Sequence, residues 1–342
     1  MFDVLCDDAR ITLDTRGEAV IIASEPMRPT TPDDNLATRP AWRTALPFVI
    51  AIALIAAVLS RVDLDAFARA VARVNKPALI ATAGAFCLSL WFADSLATVP
   101  LYRRLVGRIT YRDFMTFRAA SYLPSLMNHH LGQAALTWML SRGCGLPLWR
   151  VAGATLVSYA SWGGCLLGTG CLALVASGEP LGWLALPLGA GLAYLCLLAW
   201  KPARLARLTV LAPLFEAGVS GHIVALVTRM PHMAVMLMGS WASFELFGVH
   251  VPLAVGLRVF PVLMVALTIP LTPQGFGTRD AVAALLLAGY APGETHAEKL
   301  AAVAAATTAW GVTTSAWEAV MGLSFARLAA RRVERASEEA LT

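Results

Sequence analysis

Uncharged apolar runs alternate with short polar links from Thr44 onward. Thr44–Ser60, Val151–Gly178 and Pro180–Trp200 contain no Asp, Glu, Lys or Arg. At 1.5 Å per helical residue, each approaches or exceeds the roughly 30 Å hydrocarbon core of a bilayer. Three further runs are broken by one acidic residue each: Pro77–Val99 by Asp94, Met230–Val249 by Glu245 and Leu300–Ala326 by Glu318. Between the first two spans, "DLDAFARAVARVN" places Leu64, Phe67, Val71 and Val74 at helical spacing, which predicts an amphipathic helix lying in the membrane interface.

The order of elements repeats. A span (Thr44–Ser60), an amphipathic link (Asp63–Lys76) and a span (Pro77–Val99) lead to a broken apolar stretch, Ala119–Ser141, and a long span, Val151–Ser177. A span (Leu181–Ala199), an amphipathic link (Lys201–Arg229) and a span (Met230–Val249) lead to a second broken stretch, Pro252–Tyr290, and a final span, Lys299–Ala326. Three spans per half reverse the second half relative to the first, and inverted repeats with interrupted helices mark transporters. "YLPSLMNHHLGQAALTWMLSRGCGLP" pairs loosely with "TIPLTPQGFGTRDAVAALLLAGYAPG": Pro124 and Pro270 precede the breaks, and Gly132 and Gly277 open the returning helices.

The expected fold is therefore an all-α polytopic membrane protein: an inverted repeat of three spans each with two re-entrant helical hairpins, about six full spans plus interfacial helices. The domains are a polar N-terminal segment with a Pro-rich linker (1–43), a first membrane repeat (44–178), a second, inverted repeat (179–327) and a basic then acidic cytoplasmic tail (328–342). The returning pieces, Leu131–Ser141 and Ala281–Tyr290, are half a membrane long, so the two tips meet near the midplane. The alternative for "TPQGFGTRD" is a tight surface turn between two tilted spans.

Composition agrees with this class. The 342 residues are 58% hydrophobic and 14% charged, with a mean hydropathy of +0.65, which excludes an ordinary soluble domain. The net charge of +5 is the excess expected of basic residues flanking spans, with lipid headgroups rather than nucleic acid as the acidic neighbours. Basic links at Arg28/Arg39/Arg43, Arg103–Arg118, Lys201–Arg229 and Arg327–Arg335 put both termini in the cytoplasm of a bacterial inner membrane. Arg61, Arg69, Arg73 and Lys76 fall on the outer side, where the interfacial helix lets them meet lipid phosphates.

The leader has no apolar signal core. It holds a candidate hairpin in "ARITLDTRGEAVIIAS" around Arg16–Gly17, and Met27 is an alternative start. The six cysteines show no paired or metal-ligand spacing and read as packing residues; no metal or cofactor is implied.

The tips carry the candidate chemistry. A helix starting at Gly277 or Thr278 points its free N–H groups and dipole at an anion, with Thr278 as cap, Gly275 and Gly277 allowing close approach, Arg279 as a bidentate fork and Asp280 as its counter-charge. The first tip offers Asn128, His129, His130 and Gln133 for headgroup hydrogen bonds. Arg258 and Glu318 join the substrate-binding set because ionisable residues are costly in hydrocarbon, whereas Asp94 and Glu245 read as structural pairs. Gly164 and Gly168 form a GxxxG packing motif.

"IPLTPQGFGTRDAV" resembles the proline–glycine–Arg–acid motif of the lysylphosphatidylglycerol synthase transmembrane-region family, also called flippase-like domain proteins, over roughly Ala45–Arg332. Pro273, Gly275, Gly277, Arg279 and Asp280 carry the match, with Asp280 where Glu is commoner. In the first half Gly132 is followed by Gln133-Ala134-Ala135 rather than the acid and Arg usual there. The resemblance implies a membrane protein that moves a lipid between leaflets, with membrane lipids as partners and no catalytic residues. The alternatives are a membrane-embedded transferase on a phospholipid or polyprenyl donor, with Asp280, Glu318 or His129 as its base, and a non-catalytic lipid-binding partner of a separate lipid-modifying synthase.

The topology is tested by single cysteines in whole cells. Positions 104 and 331 should label only after permeabilisation and position 294 from outside; external labelling at 331 would overturn the inverted arrangement.

Overall fold

A computed structural model of the chain describes residues 9–13, 19–23, 64–178, 180–268 and 277–339. The chain divides into two units, residues 1–46 and 47–342. In the first, β1 (Ala9–Leu13) and β2 (Ala19–Ala23) form an antiparallel hairpin with Ala9 opposite Ala23 and Leu13 opposite Ala19, the pairing the weak alternation predicts. The span expected at Thr44–Ser60 lies outside the described residues.

In the second unit the described residues form helices joined by short turns. The amphipathic stretch is α1 (Leu64–Arg73), which buries Ala66 against Ala301 and Ala304 while Leu64 stays exposed. Next, α2 (Lys76–Leu105) starts where the Asn75 side chain accepts the Ala78 N–H at 3.1 Å with Pro77 in the first turn, and ends with Arg103 and Arg104 at the negative end of its dipole. Thr110 caps α3 (Tyr111–Ala120) by accepting the Asp113 N–H at 3.0 Å.

The first broken stretch is a helix–break–helix. Asn128, in an extended conformation, separates α4 (Tyr122–Met127) from α5 (His129–Gly143). Its side chain accepts the His130 N–H at 2.8 Å, so Asn128, not Gly132, opens the second limb. Gly132 serves a different purpose. A Cβ there would sit 2.8 Å from Ser125 Cβ and 3.0 Å from the Ser121 carbonyl, so only glycine lets the limbs approach this closely.

The remaining helices are α6 (Leu148–Ala176), α7 (Ala185–Trp200) after a 3-10 turn at Leu181–Leu184, the single turn α8 (Ala203–Ala206), α9 (Ala212–Glu245), α10 (Leu253–Thr268), α11 (Thr278–Leu287) and α12 (His296–Glu339). Two expected boundaries are corrected. The link ending at Arg229 is helical from Ala212 and runs on through Met230, with its only departure at Gly218 (φ 60°, ψ −177°), so Arg229 lies in mid-helix. The final helix does not stop at Ala326 but continues to Glu339, because "RLAARRVERASEE" keeps good helix formers and buries Ala329.

Four helices among the described residues are long and apolar enough to cross a membrane: Lys76–Leu105, Leu148–Ala176, Gly182–Trp200 and Ala212–Glu245. Their outward side chains are themselves apolar; Leu186 is 82% exposed and Leu285, on α11, equally so. Inside, the two larger apolar clusters lie one around Met233, Phe260 and Cys165 and the other around Tyr102, Phe117 and Val157. Four long helices pass from one cluster to the other: α2 changes at the polar step Asp94–Thr98, α6 at Ser158–Ser161 and α9 at Arg229–His232, while α12 runs from Ala302 in one to Ala329 in the other.

The ends of the helices are tied by charge. Arg150 at the start of α6 meets both oxygens of Glu216 on α9, at 3.2 and 2.6 Å, and donates to the Leu105 carbonyl at 2.7 Å. Arg332 near the end of α12 pairs with Asp113 on α3. Trp317 Nε1 donates to the Ile80 carbonyl at 3.0 Å, and a Cβ at Gly84 would meet the Trp317 ring at 2.7 Å.

Gly132→Ala should lower stability by about 1–3 kcal/mol through overpacking. The reading is a fall in melting temperature in detergent that the added change Ser125→Gly partly restores; an unchanged melting temperature would remove the close approach from the account.

Candidate functional site: a charged cavity between two apolar clusters

The polar steps of α2, α6 and α9 face one cavity of about 250 Å³. At its centre Asp94, 7% exposed, holds two arginines from different elements. Arg118 Nε lies 2.9 Å from Asp94 Oδ2, and Arg229 Nη1 donates to Oδ1 at 2.5 Å. The other arm of Arg229 donates to Thr98 Oγ1 at 3.0 Å and to Ser158 Oγ, while Thr98 donates to Asp94 Oδ1 at 3.2 Å. The Arg118 guanidinium also sits 5.2 Å over the Tyr122 ring. One carboxylate thus joins α2 to α3 and α9, and Arg229 adds α6.

The wall carries more polar groups than it pairs. Tyr159 Oη, His232 Nδ1 and Arg229 Nε are buried without a hydrogen-bond partner among the described residues. Buried polar groups in native proteins are nearly always satisfied, so atoms of this kind around a void mark a place for water or a polar ligand.

Of the residues singled out in the sequence, the structure brings four to this cavity: His129 and Gln133 from α5, Arg279 from α11 and Glu318 from α12. Arg279 Nη2 donates to the Thr307 carbonyl at 2.7 Å and reaches Asp280 Oδ1 only at 3.4 Å. The lining holds three arginines (Arg118, Arg229, Arg279) and two carboxylates (Asp94, Glu318).

The others stand elsewhere. Asn128 is spent capping α5, and His130 is exposed. Thr278 is not the cap of α11, because that position falls to Gly277 at φ 86°, a conformation that side chains resist. Asp280 is 5% exposed and accepts the Gly277 N–H at 3.0 Å, so the chain's own carboxylate occupies part of the helix terminus expected to receive an anion. Arg258 is exposed on α10 and lines no part of the cavity. Gly275 and the Pro270–Gln274 tip lie outside the described residues.

Sequence reasoning missed Arg118 and Arg229, which the inside-positive count placed in cytoplasmic links; both are buried, at 8% and 4% exposure. Helical spacing held the signal for Arg229, since Ala225, Arg229 and Met233 form one i, i+4 row that is apolar except for the arginine. Asp94 is paired, as its position in a span implies, but the pair lines a cavity. Glu245 pairs with His250 at 2.9 Å on an exposed surface.

Among the described residues no three His, Cys, Asp or Glu gather at a metal site. Cys144, in the turn after α5, has its thiol pushed up to about 11 by burial, so it stays protonated and unreactive near neutral pH.

An apolar exterior around a charged interior void defines a membrane-embedded helical protein with a polar site between its helices. The chain belongs to the lysylphosphatidylglycerol synthase transmembrane-region family, whose model matches residues 44–316, and is thereby a membrane protein connected with lipids. No curated protein and no solved structure matches it.

Asp280→Ala should destabilise the chain by about 1–2 kcal/mol, because the Gly277 N–H loses its acceptor, whereas Asp280→Asn keeps an oxygen there and should cost less. Thermal unfolding of the purified variants measures the order, and equal losses would show that charge rather than the cap matters.

Proposed function

We propose that this protein is a lipid translocase that moves a lipid with a polar or anionic headgroup between leaflets, the headgroup passing through the charged cavity while the acyl chains stay in the bilayer. The observation that supports it most is the shared lining: His129 and Gln133 from the first broken stretch and Arg279 from the second contribute to one void. Two interrupted stretches that converge on one site suit an alternating path, since irregular backbone at membrane depth is tolerated where it lines a cavity. Membership of the family adds a lipid as the natural cargo.

This reading takes residues 44–178 and 179–327 as the two inverted repeats and the broken stretches as re-entrant hairpins. It places the protein in a bacterial inner membrane with both termini cytoplasmic. Arg279 lines the cavity from the start of α11, held there by its contacts with the Thr307 carbonyl and Asp280, so a headgroup entering the void meets its guanidinium. Asp280 steadies the terminus of α11 so that Arg279 is presented from a fixed helix rather than a loose loop.

Leaflet exchange of a labelled phospholipid in reconstituted vesicles tests the proposal. Arg279→Lys keeps the charge but loses the planar fork and should slow exchange about tenfold, and Arg279→Ala should slow it further. Wild-type exchange in a well-folded Arg279→Ala protein would take Arg279 out of the path, and the absence of exchange by wild-type protein for any lipid would reject the translocase.

A further inference from the structure

The Asp94 cluster has a chemical character that the translocase reading does not use. Two guanidinium groups from separate elements converge on one carboxylate, with a serine and a threonine hydroxyl beside the second of them. We propose that this is a phosphate-binding site in which Asp94 is the resident counter-ion, and that a lipid phosphodiester takes over its contacts with Arg118 and Arg229 when a headgroup occupies the cavity. The proposal rests on the translocase reading for its cargo but not for its chemistry.

The geometry favours an oxyanion. A tetrahedral phosphate offers several oxygens, enough to meet two guanidinium forks from different directions, which one carboxylate meets with a single oxygen each. Arg229 Nε and Tyr159 Oη are donors that Asp94 leaves unpaired, and both can turn toward a phosphate in the same void. A void of about 250 Å³ has room for a phosphoglycerol-sized headgroup. Charge supports the same ligand, because three arginines against two carboxylates, Asp94 and Glu318, leave the lining with an excess of positive charge in a region of low dielectric, where it attracts an anion.

Asp94 then has two effects. With the site empty it keeps both arginines folded inward and spares the protein a pair of buried, uncompensated cations. With a phosphate present it competes, weakening binding enough for release, which transport requires. Asp94 is accordingly a positioning and tuning residue, while Arg118 and Arg229 touch the ligand.

Native mass spectrometry of the purified full-length protein tests this with dioleoyl phosphatidylglycerol, with dioleoylglycerol lacking the phosphate, and with sn-glycerol 3-phosphate in solution. Asp94→Asn should tighten phosphatidylglycerol binding about tenfold and leave dioleoylglycerol unchanged, because the competing charge is gone. Arg229→Gln keeps the Asp94–Arg118 pair and should weaken phosphatidylglycerol binding by a similar factor, so it decides the matter if Asp94→Asn does not fold. Binding of sn-glycerol 3-phosphate with the same ordering would identify free phosphate as sufficient, and binding of the lipid alone would identify a membrane headgroup. Unchanged or weaker phosphatidylglycerol binding in folded Asp94→Asn, or unchanged binding in Arg229→Gln, would overturn the proposal. These readings are of binding, so a protein that orders its ligands this way without moving lipid loses the translocase reading and keeps the site, and one that moves lipid with both variants indifferent does the reverse.

Discussion

The arrangement of the helices depends on a single buried carboxylate. Asp94 would cost several kcal/mol to remove from water alone, and so would each arginine it meets. Together the three groups are tolerable only in the geometry observed, which requires α2, α3 and α9 to bring their polar positions to the same height. The two apolar clusters above and below supply most of the favourable burial, but apolar contact is non-directional and would accept many sliding arrangements. The ion cluster does not. It is the feature that converts a greasy bundle into one register.

The helix termini follow a related logic. Asn75, Thr110, Asn128 and Asp280 each occupy a donor that a helix start leaves free. The chain therefore meets these needs from within, and no ligand is required to complete α2, α3, α5 or α11. Tyr159, His232 and Arg229 keep buried polar atoms without a partner among the described residues, and all three line the cavity, where an outside partner has room to enter.

Much of the fold was legible because the signals were long. Apolar runs gave the helices at Lys76–Leu105, Leu148–Ala176 and Ala185–Trp200, and the three- and four-residue spacing of Leu64, Phe67, Val71 and Val74 gave α1. The break at Asn128 and the start of α11 at Gly277 were visible from the Pro, Asn and Gly residues around them. Part of the cavity was legible too, through His129, Gln133, Arg279 and Glu318. Its two central arginines were hidden by a rule that usually works. Counting arginines as markers of the cytoplasmic face treats every one as solvated, and Arg118 and Arg229 are buried because Asp94, distant in sequence, compensates them. For a pair separated by 135 positions the only local trace is the Ala225–Arg229–Met233 row, which marks the arginine as inward-facing but does not name its partner. The opening of α11 at Gly277 was legible, but the cap was assigned to Thr278, the better cap by residue type, whereas the left-handed backbone at Gly277 gives that position to the glycine.

The polar steps on α2, α6 and α9 also govern how this chain can change its length. Each residue added to a helix turns everything beyond it by about 100° and lifts it by about 1.5 Å. One insertion between Lys76 and Asp94 would leave the lower packing of α2 where it is while swinging the carboxylate away from both arginines and toward the surrounding hydrocarbon. Substitutions at the outward apolar positions carry no such penalty. Long helices with a charged mid-point are therefore open to drift in composition and closed to insertion or deletion, and length variation in this chain is expected to collect in the turns, such as Cys144–Pro147 and Lys201–Leu211, which no charge pair among the described residues holds to a fixed rotation.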